Sequence, residues 1–216
     1  MRIAATGLVH ARFRTARGRG SLAECWTLVP ALVARLSPLE SEPAPWYVPS
    51  SLRFLETELK AVWHVFEVGA GTSTMWWSKR AARVQALESD PAWHAKTARA
   101  LSSAGRSNVD LRLASPDDFS SFLAGMRDAS FDLIAVDGSE RFPGQRCESV
   151  AAAISKIRPG GFLLLDDSDR PSYAPARQLL AGWTARRFTG FKARPVVLSE
   201  TTIYEKPRLN ATNGDG

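Results

Sequence analysis

A chain of 216 residues, 44% of them hydrophobic, is long enough to bury one full core and suits a single α/β domain with short additions. Two cysteines, Cys25 and Cys147, exclude a disulfide framework and read as reduced thiols of a cytosolic (cytoplasmic) protein; no apolar run reaches the ~18 residues that a membrane span needs. The formal net charge is +6, but Arg2, Arg12, Arg14, Arg17 and Arg19 lie in residues 1–20 without any acid, so 6 − 5 leaves +1 for the rest and the body lacks the basic face that gripping a long nucleic acid requires.

Residues 1–20, rich in Gly and Arg, read as a basic flexible arm. The arm has the Arg-rich, acid-free character of an organelle transit peptide but no apolar core of a secretory signal. Residues 21–36 read as a helix, 37–49 as a Pro-rich irregular stretch holding Trp46 and Tyr47, and 50–59 as a second helix. Residues 21–60 together form an N-terminal helical cap segment ahead of the main domain. The Trp46-Tyr47 pair either closes over a ligand or packs as an ordinary loop.

An apolar run over 61–68 predicts a buried strand with Glu67 near its end. Gly69 and Gly71 follow, then Thr72 and Ser73, which open a helix expected over 73–82. Glycines at this spacing let the backbone turn sharply and let a ligand approach closely. A carboxylate beside the turn repels phosphate but accepts from an ammonium group or from sugar hydroxyls. A dinucleotide fingerprint would need Gly or Ala three residues after the second glycine, and that position is Thr74. The turn therefore suits a ligand with a cationic amino-acid end and a ribose. Trp76 and Trp77 are expected to pack the helix onto the sheet.

A second strand over 83–87 ends in Glu88-Ser89, with Glu88 nineteen positions past Gly69. An acid about 20 residues beyond such a turn can take both ribose hydroxyls. Asp90-Pro91 suits the start of a helix over 91–103, which frees Glu88 for a ligand. Further along come a strand over 109–113, a helix over 117–126, a strand over 131–136 ending in Asp137, a helix over 147–157, and a strand over 161–165 ending in Asp166-Asp167-Ser168-Asp169. A helix over 174–182 precedes two antiparallel strands, 186–191 and 201–205, joined by a long loop. Residues 208–216 read as a disordered polar tail. The alternation argues a mostly parallel sheet with helices on both faces. Glu67, Glu88, Asp137 and Asp166 then gather at one edge, where ligands of such sheets bind.

These motifs resemble those of the class I S-adenosylmethionine-dependent methyltransferases. The resemblance lies in Glu67-Val68-Gly69-Ala70-Gly71-Thr72-Ser73, in Glu88, in Phe131 to Gly138, and in Arg158-Pro159-Gly160-Gly161 with the strand that follows. It implies a Rossmann-like seven-stranded sheet in the order 3-2-1-4-5-7-6, strand seven antiparallel, forming a methyltransferase domain over 61–207. It implies S-adenosyl-L-methionine as methyl donor, held by Glu67, Gly69, Gly71, Thr72, Ser73, Glu88, Ser89 and Asp137. Asp137 and Asp166 are the candidate catalytic residues. Asp137, Asp166 and Asp167 also occupy positions similar to the magnesium ligands of the catechol-type O-methyltransferases. The lysine those enzymes place three residues past the first metal aspartate is Glu140 here, so a magnesium-assisted and a metal-free version both stand.

The expected activity is methylation of a small-molecule acceptor at oxygen, with no membrane partner and no nucleic acid. The amino-group methyltransferase signature of Asn or Asp before Pro-Pro-Tyr is absent, the chain reading Val136-Asp137-Gly138-Ser139. The alternatives are an RNA methyltransferase using the basic arm, an aminopropyltransferase of the spermidine synthase kind, and a nucleoside-binding module that has lost catalysis. His10, His64 and His94 form no recognisable triad, and His64 is expected in the core of the first strand. Neither the acceptor nor the oligomeric state is written in the sequence.

Overall fold

The computed structural model describes residues 45–138, 144–193 and 196–208, the side chains of Ala193 and Val196 excepted. The arm, the helix expected over 21–36, Cys25, Glu140 and the tail from 209 onward lie outside the described residues. The helix α1 (Pro49–Glu58) leads into β1 (His64–Val68), α2 (Thr72–Ser78), β2 (Arg83–Glu88), α3 (Pro91–Ser103) and β3 (Val109–Leu113). A 3-10 turn (Pro116–Asp118) opens α4 (Phe119–Ala124), followed by β4 (Phe131–Val136), α5 (Gln145–Lys156) and β5 (Ile157–Leu165). A second 3-10 turn (Pro171–Tyr173) precedes α6 (Ala174–Leu179), β6 (Thr184–Ala193) and β7 (Val196–Glu205). The strands form one sheet in the order β3-β2-β1-β4-β5-β7-β6. Neighbours from β3 to β5 run parallel, and β7 runs antiparallel to both β5 and β6.

The period-2 alternation of strand side chains divides the core into two layers. Phe66 and Val68 of β1, Ile134 and Val136 of β4, and Leu163 and Leu165 of β5 face α4, α5 and α6, where they meet Phe119, Leu123, Val150, Ala153 and Ala176. Val65, Leu133, Ala135, Phe162 and Leu164 face the other way and pack with Leu55, Trp63, Trp76 and Trp77. Trp77 is fully buried. Burying such a ring removes roughly 150–250 Å² from water, on the order of 4–6 kcal/mol by area before entropy is counted. Both tryptophans are therefore core residues, as their place on the helix predicts.

Several boundaries differ from the sequence reading, each for a local reason. The helix expected to run to 82 stops at Ser78, because the amides of Ala82 and Arg83 both donate to the Trp63 carbonyl and draw the chain into β2 early. The helix expected over 117–126 is a 3-10 turn followed by six residues, closed at Gly125. The long loop expected between the last two strands is strand: β6 and β7 pair from Thr184↔Glu205 to Ala193↔Val196. His64, expected in the core, is the exposed first residue of β1. Asp90 caps α3 as its Asp-Pro pair predicts, accepting from the amides of Ala92 (2.8 Å) and Trp93 (2.9 Å). Among the described residues no helix is long and apolar enough to cross a membrane.

Candidate active site at the carboxyl ends of the central strands

The parallel strands β1, β2, β4 and β5 end at one edge of the sheet, and the acids expected there are all present. The turn after β1 is held to its neighbours by backbone. The amides of Gly69 (2.9 Å) and Ala70 (3.0 Å) donate to the Leu87 carbonyl of β2, and the amide of Asp137 donates to the Val68 carbonyl (2.9 Å). Gly69 has φ +91°, a left-handed conformation that favours glycine. Gly71 lies beneath the Trp93 indole, whose Nε1 donates to the Ala70 carbonyl (2.7 Å). The Gly71 amide donates to Thr74 Oγ1 (2.8 Å). Thr72 is half-buried and Ser73 is buried at the start of α2.

Glu67 shares the sheet face of Val65, so it points into the layer of α2 rather than along the turn. Its carboxylate is fully buried and accepts from Trp77 Nε1 (3.1 Å), Tyr47 Oη (3.4 Å) and Thr74 Oγ1. Burial pushes its pKa up to about 7, against the lowering effect of these donors. Thr74, which occupies the third-glycine position of a dinucleotide fingerprint, thus links Glu67 to the Gly71 amide. Tyr47 belongs to the stretch read as irregular, and it is buried there by packing against Trp77 (ring centres 6.4 Å apart) and by its contact with Glu67. Trp46 lies half-buried against Trp93, ring centres 5.8 Å apart.

Glu88 is buried at the end of β2, and its Oε1 accepts from the amides of Ser89 (2.7 Å) and Asp90 (2.8 Å). Burial raises its pKa, while the two amides oppose the rise. The bonds fix the carboxylate at the strand end.

Beyond β4 and β5 stands a network of charges that neither strand's sequence discloses. Arg146, near the start of α5, donates from Nε to the Gly138 carbonyl (2.9 Å), from Nη1 to the Asp166 carbonyl (2.7 Å) and from Nη2 to Asp137 Oδ1 (2.9 Å). From the opposite sheet face comes Lys192 of β6, whose Nζ donates to both Asp166 Oδ2 and Asp167 Oδ1, the latter at 2.7 Å. Thr201 Oγ1 donates to Asp166 Oδ1 (2.7 Å), and Ser199 Oγ donates to Asp167 Oδ1 (2.6 Å). Lys192, Ser199 and Thr201 line up because the hairpin pairs Gly190 with Ser199 and Phe188 with Thr201, and alternate positions of both strands share one face. Asp167 has φ +53°, and Asp is among the few non-glycine residues that tolerate that region.

The three acids are not equivalent. Asp166 and Asp167 retain 0% and 9% of their side-chain exposure, whereas Asp137 retains 23%. Burial and the neighbouring Asp166 carboxylate push Asp137 above the usual carboxylate range, partly offset by Arg146 and Lys192. Burial also raises Asp166, while Lys192 pulls it back. Asp167 is held well below the usual range, because Lys192, Ser199 and Arg146 outweigh the cost of its burial. Lys192 is raised despite burial by the three carboxylates around it.

A divalent cation does not fit this set. Magnesium needs oxygen ligands at about 2.0–2.1 Å in octahedral array, and the point shared by Asp166 and Asp167 is taken by the Lys192 ammonium. Among the described residues no other group of three acids, histidines or cysteines could hold a metal ion. The magnesium expectation at Asp137, Asp166 and Asp167 is therefore not supported. Arg146 and Lys192 are the two residues sequence reasoning missed. The only trace of Lys192 is its alternation with Phe191 and the Val196-Val197-Leu198 run opposite.

A parallel α/β sheet with an antiparallel seventh strand inserted between β5 and β6, a glycine turn after β1 and an acid at the end of β2 define the Rossmann-like methyltransferase fold. A family model for a methyltransferase domain matches residues 66–168, just under half of the chain, in line with the resemblance to the S-adenosylmethionine-dependent methyltransferases. No curated protein sequence matches it. Among solved structures it is similar to the O-methyltransferase TomG from Streptomyces achromogenes, involved in tomaymycin synthesis and crystallised with SAM, at 20% identity and a TM-score of 0.61 over 96% of this chain and 99% of that one. An O-methyltransferase from Bacillus cereus in complex with SAH gives 16% identity and a TM-score of 0.61, covering 94% of this chain and 97% of the other. An rRNA methylase from Streptococcus thermophilus gives 17% identity and 0.58, covering 74% and 95%. At these identities the likeness is one of fold.

Proposed function

We propose that the enzyme transfers the methyl group of S-adenosylmethionine to a hydroxyl oxygen of a small molecule, and that Asp137 is the residue that meets the acceptor. The observation that carries this reading is the placement of Asp137. It is the first residue beyond β4, its backbone abuts the glycine turn, and its carboxylate is the most exposed of the three clustered acids. In the transfer the S–CH3 bond breaks as the O–CH3 bond forms. The sulfonium becomes a neutral thioether, and the hydroxyl proton must leave. A carboxylate raised above the usual range by burial and by Asp166 is a better proton acceptor than an ordinary aspartate.

The remaining residues fall into supporting roles. Gly69 and Gly71 let the donor approach the backbone, flanked by Thr72 and Ser73. Glu88, fixed by its Ser89 and Asp90 amide bonds, offers Oε2 to the ribose hydroxyls. Glu67, engaged by three internal donors, shapes the turn from behind. Asp166 positions Asp137 through Arg146 and Lys192 and is sealed from the acceptor. The near-neutral body over 21–216 and the fold shared with the O-methyltransferases TomG and that of Bacillus cereus support a small-molecule oxygen acceptor.

The test is a panel of phenols, alcohols, amines and ribosomal RNA transcripts, read by release of S-adenosylhomocysteine. Turnover of a hydroxyl compound that collapses in Asp137→Ala is the expected result. Turnover confined to amines or to RNA would refute the oxygen and small-molecule assignments respectively.

A further inference from the structure

Five of the six carboxylate oxygens of Asp137, Asp166 and Asp167 already accept from a protein donor. Asp166 Oδ2 and Asp167 Oδ1 share Lys192 Nζ. Asp166 Oδ1 takes Thr201, Asp167 Oδ1 also takes Ser199, Asp167 Oδ2 takes Arg170 (2.9 Å), and Asp137 Oδ1 takes Arg146 (2.9 Å). Three negative groups thus face three positive ones, Lys192, Arg146 and Arg170, and the formal charge closes on itself. Lys192 Nζ stands at the one point that both β5 carboxylates address. It gets there from the sheet's edge strand, reaching over β7 along the row that carries Ser199 and Thr201. An added divalent ion would have to expel this ammonium, or else leave an uncompensated charge of +2 beside Asp166 and Asp167, which are more than nine-tenths buried, and burial makes that costly.

We infer that Lys192 is the resident cation of this site: its ammonium occupies the place of a divalent ion between Asp166 and Asp167, and the enzyme works without one. Lys192 is a positioning residue. It locks the two carboxylates that follow β5 in place and leaves Asp137 as the most exposed of the three acids. The inference rests on the proposed function only in taking Asp137 as the acceptor-facing group, and its test needs no acceptor.

The experiment titrates Mn2+ into the full chain and into Lys192→Ala and Lys192→Arg, reading free Mn2+ by electron paramagnetic resonance and the melting temperature in parallel, with S-adenosylhomocysteine calorimetry alongside. The wild type and Lys192→Arg, which keep a cation in place, should ignore Mn2+. Lys192→Ala, left with two facing carboxylates, should take up the ion and melt higher with it by mass action, and Asp167→Asn added to it should abolish the uptake. A Lys192→Ala chain that fails to fold until Mn2+ is added supports the inference equally. A Lys192→Ala chain indifferent to Mn2+, folded or not, overturns it. So does stoichiometric Mn2+ uptake by the wild type that Asp167→Asn removes. Failure of the wild type to bind S-adenosylhomocysteine would instead count against the site reading and leave the cation assignment standing.

Discussion

The Asp137 carbonyl stands where a side chain on Gly69 would have to be: a Cβ there would lie 2.3 Å from the Asp137 oxygen, 2.7 Å from its carbon and 2.9 Å from Gly138 Cα. The turn after β1 and the end of β4 therefore touch through backbone alone. That contact brings the expected donor site and the acceptor-facing acid together, and no flexible side chain is available to yield.

Gly69→Ala should accordingly cost both stability and ligand. The φ of +91° is strained for alanine, and the clash forces β1 and β4 apart, so a loss of about 1–3 kcal/mol or more is expected. Thermal melts and S-adenosylhomocysteine calorimetry decide the matter. A variant as stable as the wild type with unchanged affinity would mean that the two strand ends move freely.

Glu67 gives the fold a built-in pH dependence. Its pKa is about 7 in the folded chain against 4.5 as an ordinary glutamate. For an acid raised on folding, the folded state binds more protons between these values, so stability is greatest below about 4.5 and falls as pH rises through about 7. The full span corresponds to about 3 kcal/mol. Glu67→Gln keeps an acceptor for Trp77 and Tyr47 but cannot ionise. Relative to the wild type it should gain stability on going from pH 5 to pH 8, as read by denaturant melts at both values. Parallel pH curves for the two proteins would show that Glu67 titrates outside this window.

The fold and half of the site were legible because they rest on local signals. The glycine turn, the acid nineteen positions later and the acids after β4 and β5 are each fixed by their own strand, and a strand's end is marked in sequence by the change from apolar run to polar residue. The partners of those acids were not legible, because they are contacts at long range. Lys192 and Asp166 are 26 positions apart and meet across an intervening strand. Lys192 lies one position past the strand expected over 186–191, in the stretch expected to be loop, and joins the row of Ser199 and Thr201 only once β6 extends along β7. Arg146 follows a Pro-Gly pair and looks like an exposed helix-start residue until Gly138, Asp166 and Asp137 converge on it. The magnesium expectation failed for the same reason: three acids at metal-like spacing carry no sign of the lysine that will stand between them. Tyr47 was seen as a loop residue, since nothing nearby discloses a buried carboxylate twenty positions on.

Glu88→Ala tests the ribose assignment. The substitution removes the proposed ribose contact along with the acceptor for the Ser89 and Asp90 amides. Affinity for S-adenosylhomocysteine should drop by about 1–3 kcal/mol, the scale of lost charge-assisted hydrogen bonds, while the melting transition stays cooperative. A folded variant with wild-type affinity would reduce Glu88 to a brace for the turn into α3.

Asp137→Asn separates chemistry from architecture. Asparagine preserves the size of the side chain and can still accept from Arg146 through Oδ1, so the contacts of Arg146 with Gly138 and Asp166 should survive, together with cofactor affinity. What it loses is the ability to take the acceptor's proton, a step worth typically 10²–10⁴ in rate. The loss should fall on kcat rather than on KM. The wild-type rate should rise with pH through an apparent value above the ordinary aspartate range, since the ionised form is the base and burial together with Asp166 raises the group. Because Asp137 and Asp166 titrate together, that value belongs to the pair. In the asparagine variant this limb of the profile should flatten. An Asp137→Asn enzyme with an unchanged kcat and an unchanged pH limb would show that the acceptor's proton leaves by another route.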